Sequence, residues 1–138
     1  MNTPKDEMYL TFVIQGFEES PSDFSRKIGI EPTEAYAKGE KASMGQYETT
    51  VRDSIWKLKS PLRPDADENE QLASILEKLT PHRDKIVAAT KGLPVIVFSF
   101  GIYYQDSQPE IWLKSELVKQ VADLNASLDF DMYFLGNH

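Results

Sequence analysis

The segment from Pro94 to Tyr104 places the strongest constraint on how this chain folds. It is rich in valine, isoleucine, phenylalanine and tyrosine, the residues that favour β-structure. Apolar side chains occupy both odd and even positions, so both faces of a strand formed here are apolar. This pattern predicts a central strand of a sheet, covered on both sides by other parts of the chain.

Four further segments are expected to form strands. In three of them apolar and polar side chains alternate, as in a strand with one buried face. The fourth is short and ends at Gly39. Between Lys41 and Asp53 there is little periodicity, which we interpret as a loop or an irregular edge. In chain order the predicted strands are Met8 to Gln15, Thr33 to Glu40, Ser54 to Lys59 and Leu128 to Phe134.

Three helical regions lie between the predicted strands. The first is capped by Ser20 and ends at Gly29, which suits a left-handed C-terminal stop. Asp67 and Glu70 have capping-box spacing at the start of the second region. The third runs from Ser115 to Leu124. The second region carries an apolar stripe at helical spacing, formed by Leu72, Ile75, Leu76 and Leu79.

The element order is β-α-β-β-α-β-α-β, with a helix restart at Thr80 and Pro81 inside the central helical region. It predicts an α+β fold with a single mixed or antiparallel sheet of about five strands and helices mainly on one face, the nearest template being a ferredoxin-like variant. The 138 residues fit one domain with a core over residues 8–135. The side chains expected to be buried together are Leu10, Phe12, Phe24, Ile28, Leu72, Leu76, Phe98, Val121, Phe130 and Met132.

Charge and composition restrict the classes of partner. The chain has 15 basic and 22 acidic residues, a net charge of -7, which argues against binding to nucleic acid or to an anionic membrane. A basic protein partner is compatible with this charge, and so is a simple role in solubility. The chain contains no cysteine, which excludes disulfides and thiolate chemistry. Its polar first residues and the lack of a membrane-spanning apolar run predict a cytoplasmic protein.

Asp129 and Asp131 are the sharpest candidates for chemistry. Two residues apart on a strand, they project from one face, where two carboxylates could hold a hard cation or one could act as an acid. The alternative is that they mark the solvent face of an edge strand, a face that Tyr133 shares. Neither aspartate has a third ligand at a diagnostic spacing, and His82 and His138 are isolated in the sequence. We therefore expect no metal site and no cofactor.

Two other features of the sequence have open interpretations. Lys38, Gly39 and Glu40 could form an anion-binding turn, but they lack the glycine run of a phosphate loop, and a strand-ending turn is the alternative. Aromatic side chains on predicted strands could form a binding surface if they share one sheet face. For Trp56 core packing is favoured, whereas for Tyr133 both interpretations stand. The aromatic residues concerned are Tyr36, Trp56, Tyr103, Tyr104 and Tyr133.

The order of short motifs resembles the bacterial family catalogued as domain of unknown function 4279. The motifs are Gly29 to Thr33, Lys38 to Glu40, Trp56 to Leu58, the amphipathic helix that follows, and Asp131 to Tyr133. The resemblance implies a small cytosolic domain and brings no reaction, cofactor or site. The recurring family positions match Pro32, Thr33, Lys38, Gly39, Glu40 and Trp56.

Two classes of function are compatible with these observations. The first is a binding or interaction protein, either immunity-like toward a basic toxin or an accessory partner module. It is favoured by the small size, the acidity and the absence of a recognisable catalytic motif. The alternative is a small-ligand sensor or an enzyme that uses Asp129, Asp131 and Lys38 in a cleft.

Overall fold

A computed structural model describes residues 6–44 and 46–136, so His138 lies outside the described residues. This part of the chain forms a five-stranded sheet, a two-stranded hairpin and four α-helices. The elements, in chain order, are β1 (Glu7–Gln15), α1 (Pro21–Ile28), β2 (Glu34–Tyr36), β3 (Lys41–Met44), β4 (Tyr47–Thr50), β5 (Ile55–Lys59), α2 (Glu68–Leu79), a 3-10 turn (Thr80–His82), α3 (Arg83–Ala89), β6 (Val95–Tyr104), α4 (Ser115–Asp123) and β7 (Ser127–Phe134).

Strand β1 joins the two halves of the main sheet. It pairs antiparallel with β5 on one side and with β6 along its whole length on the other. Strand β2 extends the sheet beyond β5, and β7 pairs parallel with β6 after the crossover helix α4, which gives the order β2-β5-β1-β6-β7. The α+β class with a mixed five-stranded sheet is confirmed, while the ferredoxin-like variant stays a prediction.

The core lies between the helices and one face of the sheet. Alternate residues of β1 and β6 point toward the helices and are buried, among them Phe12 and Phe98, whose ring centroids are 4.7 Å apart. Trp56 from β5 lies edge-on to Phe12 at 6.2 Å. These rings exclude water from the centre of the domain, so their burial is a main source of stability. In the described part of the chain, no helix is long and apolar enough to cross a membrane.

The helix ends follow their capping residues. The hydroxyl of Ser20 accepts a hydrogen bond from the amide of Asp23 at 3.1 Å, and Gly29 ends α1 with a φ of 79°, a conformation that other residues adopt at a cost. The carboxylate of Asp67 accepts from the amide of Glu70 at 2.8 Å at the start of α2. The predicted caps are therefore confirmed, and so is the buried stripe of α2, formed by Leu72, Ile75, Leu76 and Leu79.

The expectation of a loop or irregular edge from Lys41 to Asp53 is corrected by the structure. Strands β3 and β4 form an antiparallel hairpin, and all of β4 is exposed. An exposed hairpin needs no alternation of apolar residues, which is why the sequence shows none. The preceding strand is also shorter than expected, since β2 ends at Tyr36 and residues 37–40 turn into the hairpin.

The burial of Phe130 was expected, and that expectation is wrong. Its side chain remains 38% exposed, although it stacks on Phe100 with centroids 5.0 Å apart. The reason is that β7 is an edge strand, so neighbouring strand side chains shield it from one side only. Met132 on the same strand is half-buried against the core.

The expectation that β6 is covered on both faces is also wrong. Only the face of Phe98 and Phe100 meets the helices. The opposite face remains half-buried along the strand, and its residues are Val95, Val97, Ser99, Gly101 and Tyr103. The structure therefore leaves a partly apolar sheet face without a layer of helices.

We expect Leu76→Ala to lower the free energy of unfolding by about 2–5 kcal/mol, because it opens a cavity in the core. Leu76 is buried on the inner face of α2, whereas its neighbour Glu77 is exposed. Glu77→Ala is the matched control and should change the stability by less than about 0.5 kcal/mol. Urea unfolding of both variants measures the difference, and a loss below about 1 kcal/mol for Leu76→Ala would show that this helix face is not part of the core.

Candidate functional site

The candidate site is the face of the main sheet opposite the helices, which we call the uncovered face. The strand register determines which side chains are neighbours on it. Across β1, β6 and β7 the pairing aligns residues from distant parts of the chain in rows. The face therefore combines side chains that no local motif brings together. Three successive rows are Glu7–Tyr103–Tyr133, Tyr9–Gly101–Asp131 and Thr11–Ser99–Asp129.

Three tyrosines form a cluster on this face. Tyr103 stacks on Tyr133 with ring centroids 4.8 Å apart, and Tyr9 meets Tyr103 edge-on at 5.9 Å. Tyr9 is 47% exposed and Tyr133 is 45% exposed, so the cluster presents rings and hydroxyl groups to solvent. Tyrosines held in this way supply rigid contact area with polar tips, which is the composition of many binding hot spots.

Tyr9 is oriented by its neighbour Glu7. The phenol donates a hydrogen bond to the Glu7 carboxylate, and this bond holds the pKa of Tyr9 above its ordinary value. The negative charge of Glu7 acts in the same direction. The tyrosine cluster thus has a carboxylate at its border.

Gly101 leaves a gap beside the tyrosine cluster. Its neighbours in the row are Tyr9 and Asp131. A Cβ added at this position would meet atoms no closer than 3.9 Å, an ordinary contact distance, and the glycine is not among the residues with positive φ. Packing therefore does not require a glycine here, although glycine weakens the interior of a strand.

Asp129 and Asp131 lie side by side on β7, as their spacing predicted. Both are exposed on the face away from the helices, and β7 is an edge strand. Within residues 6–44 and 46–136, no three histidine, aspartate or glutamate side chains are grouped so that they could hold a metal ion.

Lys38 lies at the opposite side of the domain from these aspartates. It follows β2, and β2 and β7 are the two edges of the main sheet, about 19 Å apart at the usual spacing of about 4.8 Å between strands. The structure therefore does not bring Lys38 together with Asp129 and Asp131.

The turn at Lys38, Gly39 and Glu40 forms the base of the hairpin. Gly39, with a φ of 86°, donates its amide to the carbonyl of Val51 at 2.8 Å. The amide of Glu40 donates to Ala37 at 3.1 Å, and the Glu40 carboxylate accepts from the amide of Ala37 at 2.8 Å. The amides of Gly39 and Glu40, which an anion would use at this turn, are thus already bonded within the protein. Lys38 and Glu40 themselves are exposed.

Trp56 lies in the core and is fully buried. Its indole nitrogen donates to the hydroxyl of Ser25 at 3.1 Å, and its ring lies edge-on to Phe24 and to Phe12. In this position Trp56 fixes α1 against the sheet and makes no contact with solvent.

Sequence reasoning missed Tyr9 as a site residue. The alternation in β1 does place Tyr9 on the face opposite Phe12, which is the signal that could have found it. Tyr9 adjoins Tyr103 only because β1 pairs with β6. About eighty residues separate these two strands, so local periodicity does not predict their pairing.

Over residues 6–135 the chain matches the model of a family described as domain of unknown function (DUF4279). No curated protein and no solved structure matches it. The family description gives no reaction, ligand or partner, so the function is argued from the geometry of the uncovered face.

We expect Ser25→Ala to destabilise the protein by about 1–3 kcal/mol, because it leaves the buried indole N–H of Trp56 without an acceptor. Ser22→Ala, at an exposed position of the same helix, is the control. The measurement is thermal or urea unfolding, repeated in a Trp56→Phe background, where the loss on replacing Ser25 should shrink. Equal losses in both backgrounds would contradict a role for this hydrogen bond.

Replacement of Glu7 by alanine is expected to lower the pKa of Tyr9 toward its ordinary value of about 10, because it removes both the acceptor and the negative charge. The tyrosine should then deprotonate at lower pH than in the wild type. NMR titration of the Tyr9 ring measures this pKa, with Glu77→Ala on α2 as the control. An unchanged titration curve would show that Glu7 does not orient Tyr9.

Proposed function

We propose that this chain, which belongs to the DUF4279 family, is a binding protein that holds a basic protein partner on the uncovered face of its main sheet. The observation that supports the proposal is the apolar and aromatic character of a sheet face without a helix layer. An immunity-like protein that covers the basic surface of a toxin is the form of this function that fits the charge and the size best.

The apolar content of the uncovered face favours a binding role. Strands with apolar residues on both faces are normally buried on both, yet Val95 and Val97 are only half-buried. The tyrosine cluster continues this surface toward β7. Contiguous exposed apolar surface usually marks an interaction site.

The gap at Gly101 supports the assignment of the uncovered face as the binding surface. Glycine in the interior of a strand often marks a place where a ligand or another chain approaches closely. A partner side chain that enters the gap meets Tyr9 on one side and Asp131 on the other. Packing within the domain does not require this glycine, which supports the proposal that a partner approaches closely here.

The charges around the tyrosine cluster select a basic partner. In the described part of the chain, none of Glu7, Asp129 and Asp131 forms an ion pair. Carboxylates beside aromatic rings are the groups that bind an arginine or lysine side chain, through charge-assisted hydrogen bonds and cation–π contacts. The net charge of -7 adds long-range attraction, which raises the encounter rate with a basic protein.

The alternative, a ligand sensor or an enzyme that uses Asp129, Asp131 and Lys38, has less geometric support. It would need Asp129, Asp131 and Lys38 to converge in one cleft. The two aspartates are exposed on β7, and Lys38 follows the opposite edge strand. Binding through the uncovered face requires no such convergence.

The proposal predicts that a double variant, Asp131→Asn with Tyr133→Ala, loses the partner. Both side chains are exposed, so the fold should be retained. The matched control is Glu48→Gln with Tyr47→Ala on the exposed hairpin strand β4. The partner is first captured from the source cell with the wild-type protein, and its association rate and affinity are then measured for all three proteins at two salt concentrations.

We expect a captured protein with a sequence pI above about 9, whose affinity for the double variant falls at least about tenfold. Its association with the wild type should slow as salt rises, because the attraction is screened over about 8–10 Å. The hairpin control should bind as the wild type does. An acidic partner, or equal binding by the double variant, would refute the assignment of this face.

A further inference from the structure

A concave region lies beneath the β3–β4 hairpin, over the part of the uncovered face that is formed by β2, β5 and the end of β1. The hairpin and the face of β2, β5 and β1 enclose a cavity of about 510 Å³. This volume falls within the range of small-molecule sites. The polar residues that line it are Gln15, Glu34, Tyr36, Ser43, Thr49 and Arg52, together with Asp53 and Lys57.

The turn at Gly39 closes the base of the hairpin that borders this cavity. The amide of Gly39 donates to the carbonyl of Val51, and the amide of Val51 donates to the carbonyl of Glu40, both at 2.8 Å. These bonds join the two arms of the hairpin next to Val51, which lines the cavity. The Lys-Gly-Glu motif thus shapes the base of a hairpin whose strands line the cavity, while the motif itself does not line it.

Two cations, Arg52 and Lys57, line this cavity. Neither Arg52 nor Lys57 forms an ion pair with any residue that the structure describes. The nearest carboxylate in register with Lys57 is Glu34, and it is already bound to Lys59 at 2.7 Å. That hydrogen bond, with the positive charges of Lys59 and Lys57, keeps the pKa of Glu34 below its ordinary value.

The lining of the cavity is less acidic than the chain as a whole. Two cations, Arg52 and Lys57, are balanced by two carboxylates, Glu34 and Asp53, in a protein whose net charge is -7, and one of those carboxylates is already bound to Lys59, outside the lining. Lys57 is also half-buried, and it shares the carboxylate of Glu34 with Lys59. An anion in the cavity would supply a counter-charge that Lys57 does not have to share.

The apolar residues that line the cavity indicate the chemical character of the rest of such a ligand. Ile55 and Val51 are apolar, and Tyr36 adds an aromatic ring beside them. An apolar floor with a few convergent polar groups is typical of sites for small organic molecules. A larger cavity of about 610 Å³ near the end of α3 is lined by one carboxylate, Asp84, and one ammonium, Lys91, and has neither an arginine nor an aromatic ring in its lining.

We propose that the hairpin cavity binds a small organic anion, whose carboxylate or phosphate group is held by Arg52 and Lys57 and whose apolar body lies against Ile55 and Tyr36. The amide of Gln15 and the hydroxyl of Thr49, which shares its hairpin face with the lining residue Ala42, supply further hydrogen-bonding groups. This site is separate from the proposed partner surface over β1, β6 and β7 and does not depend on it.

The test uses simple probes rather than an unidentified ligand. Phenyl phosphate and benzoate carry the proposed anionic groups on an apolar ring, while benzamidine carries a cation on the same ring. Binding is followed through the backbone amide signals of the wild-type protein by NMR, against sodium chloride at matched ionic strength. We expect at least one of the two anions to shift the signals of residues 34–36 and 49–57 in a saturable way, and benzamidine to shift none of them in this way. The tighter anion shows whether a phosphate or a carboxylate is preferred.

Two charge-matched variants test the assignment to these side chains. Arg52→Gln with Lys57→Gln should weaken binding of the preferred anion at least about tenfold, because two charge-assisted contacts are lost. Arg26→Gln with Lys78→Gln, which removes two exposed cations from α1 and α2, should leave it unchanged. The amide spectrum of each variant verifies its fold. No saturable binding by either anion, a response reproduced by sodium chloride, or equal weakening by both variants would overturn the proposal.

Discussion

The pairing of β1 with β5 on one side and β6 on the other is the constraint on which the rest of the structure depends. Both edges of β1 are hydrogen-bonded, and its inner face is buried against the helices. The same register that puts Phe12 beside Phe98 puts Tyr9 beside Gly101. A slip by one residue would expose the core and bury the tyrosines, so core and candidate surface are determined by one set of bonds.

The sheet face opposite the helices contains two regions of different charge. Over β1, β6 and β7 the face combines tyrosines with the exposed carboxylates of Asp129 and Asp131. Over β2 and β5 it carries both signs, with Lys57 beside Glu34 and, near the hairpin, Arg52 beside Asp53. Net charge describes neither region, because it sums groups that the fold keeps apart.

Gly39, Glu40 and Trp56, which belong to the short motifs of the sequence, have structural roles in this fold. Gly39 and Glu40 bond the hairpin to the segment before it, and Trp56 is buried against Ser25 and Phe24. These residues build the framework on which the surface groups stand. Of the side chains proposed to bind partners or ligands, Lys57, Asp131 and Tyr133 lie within these motifs, whereas Tyr9 and Arg52 lie outside them.

The sequence by itself determined the features that depend on neighbours along the chain. The caps at Ser20 and Asp67, the stripe of α2 and the strands β1 and β6 follow from local hydrogen bonding and from periodicities of 3.6 and two residues. Only the tertiary structure decided that the second face of β6 is uncovered, that β7 is an edge, and that Lys38 and Asp131 lie at opposite sides. Strand order and register join residues far apart in sequence, and an exposed polar hairpin satisfies its backbone without any apolar pattern, so neither leaves a local signal.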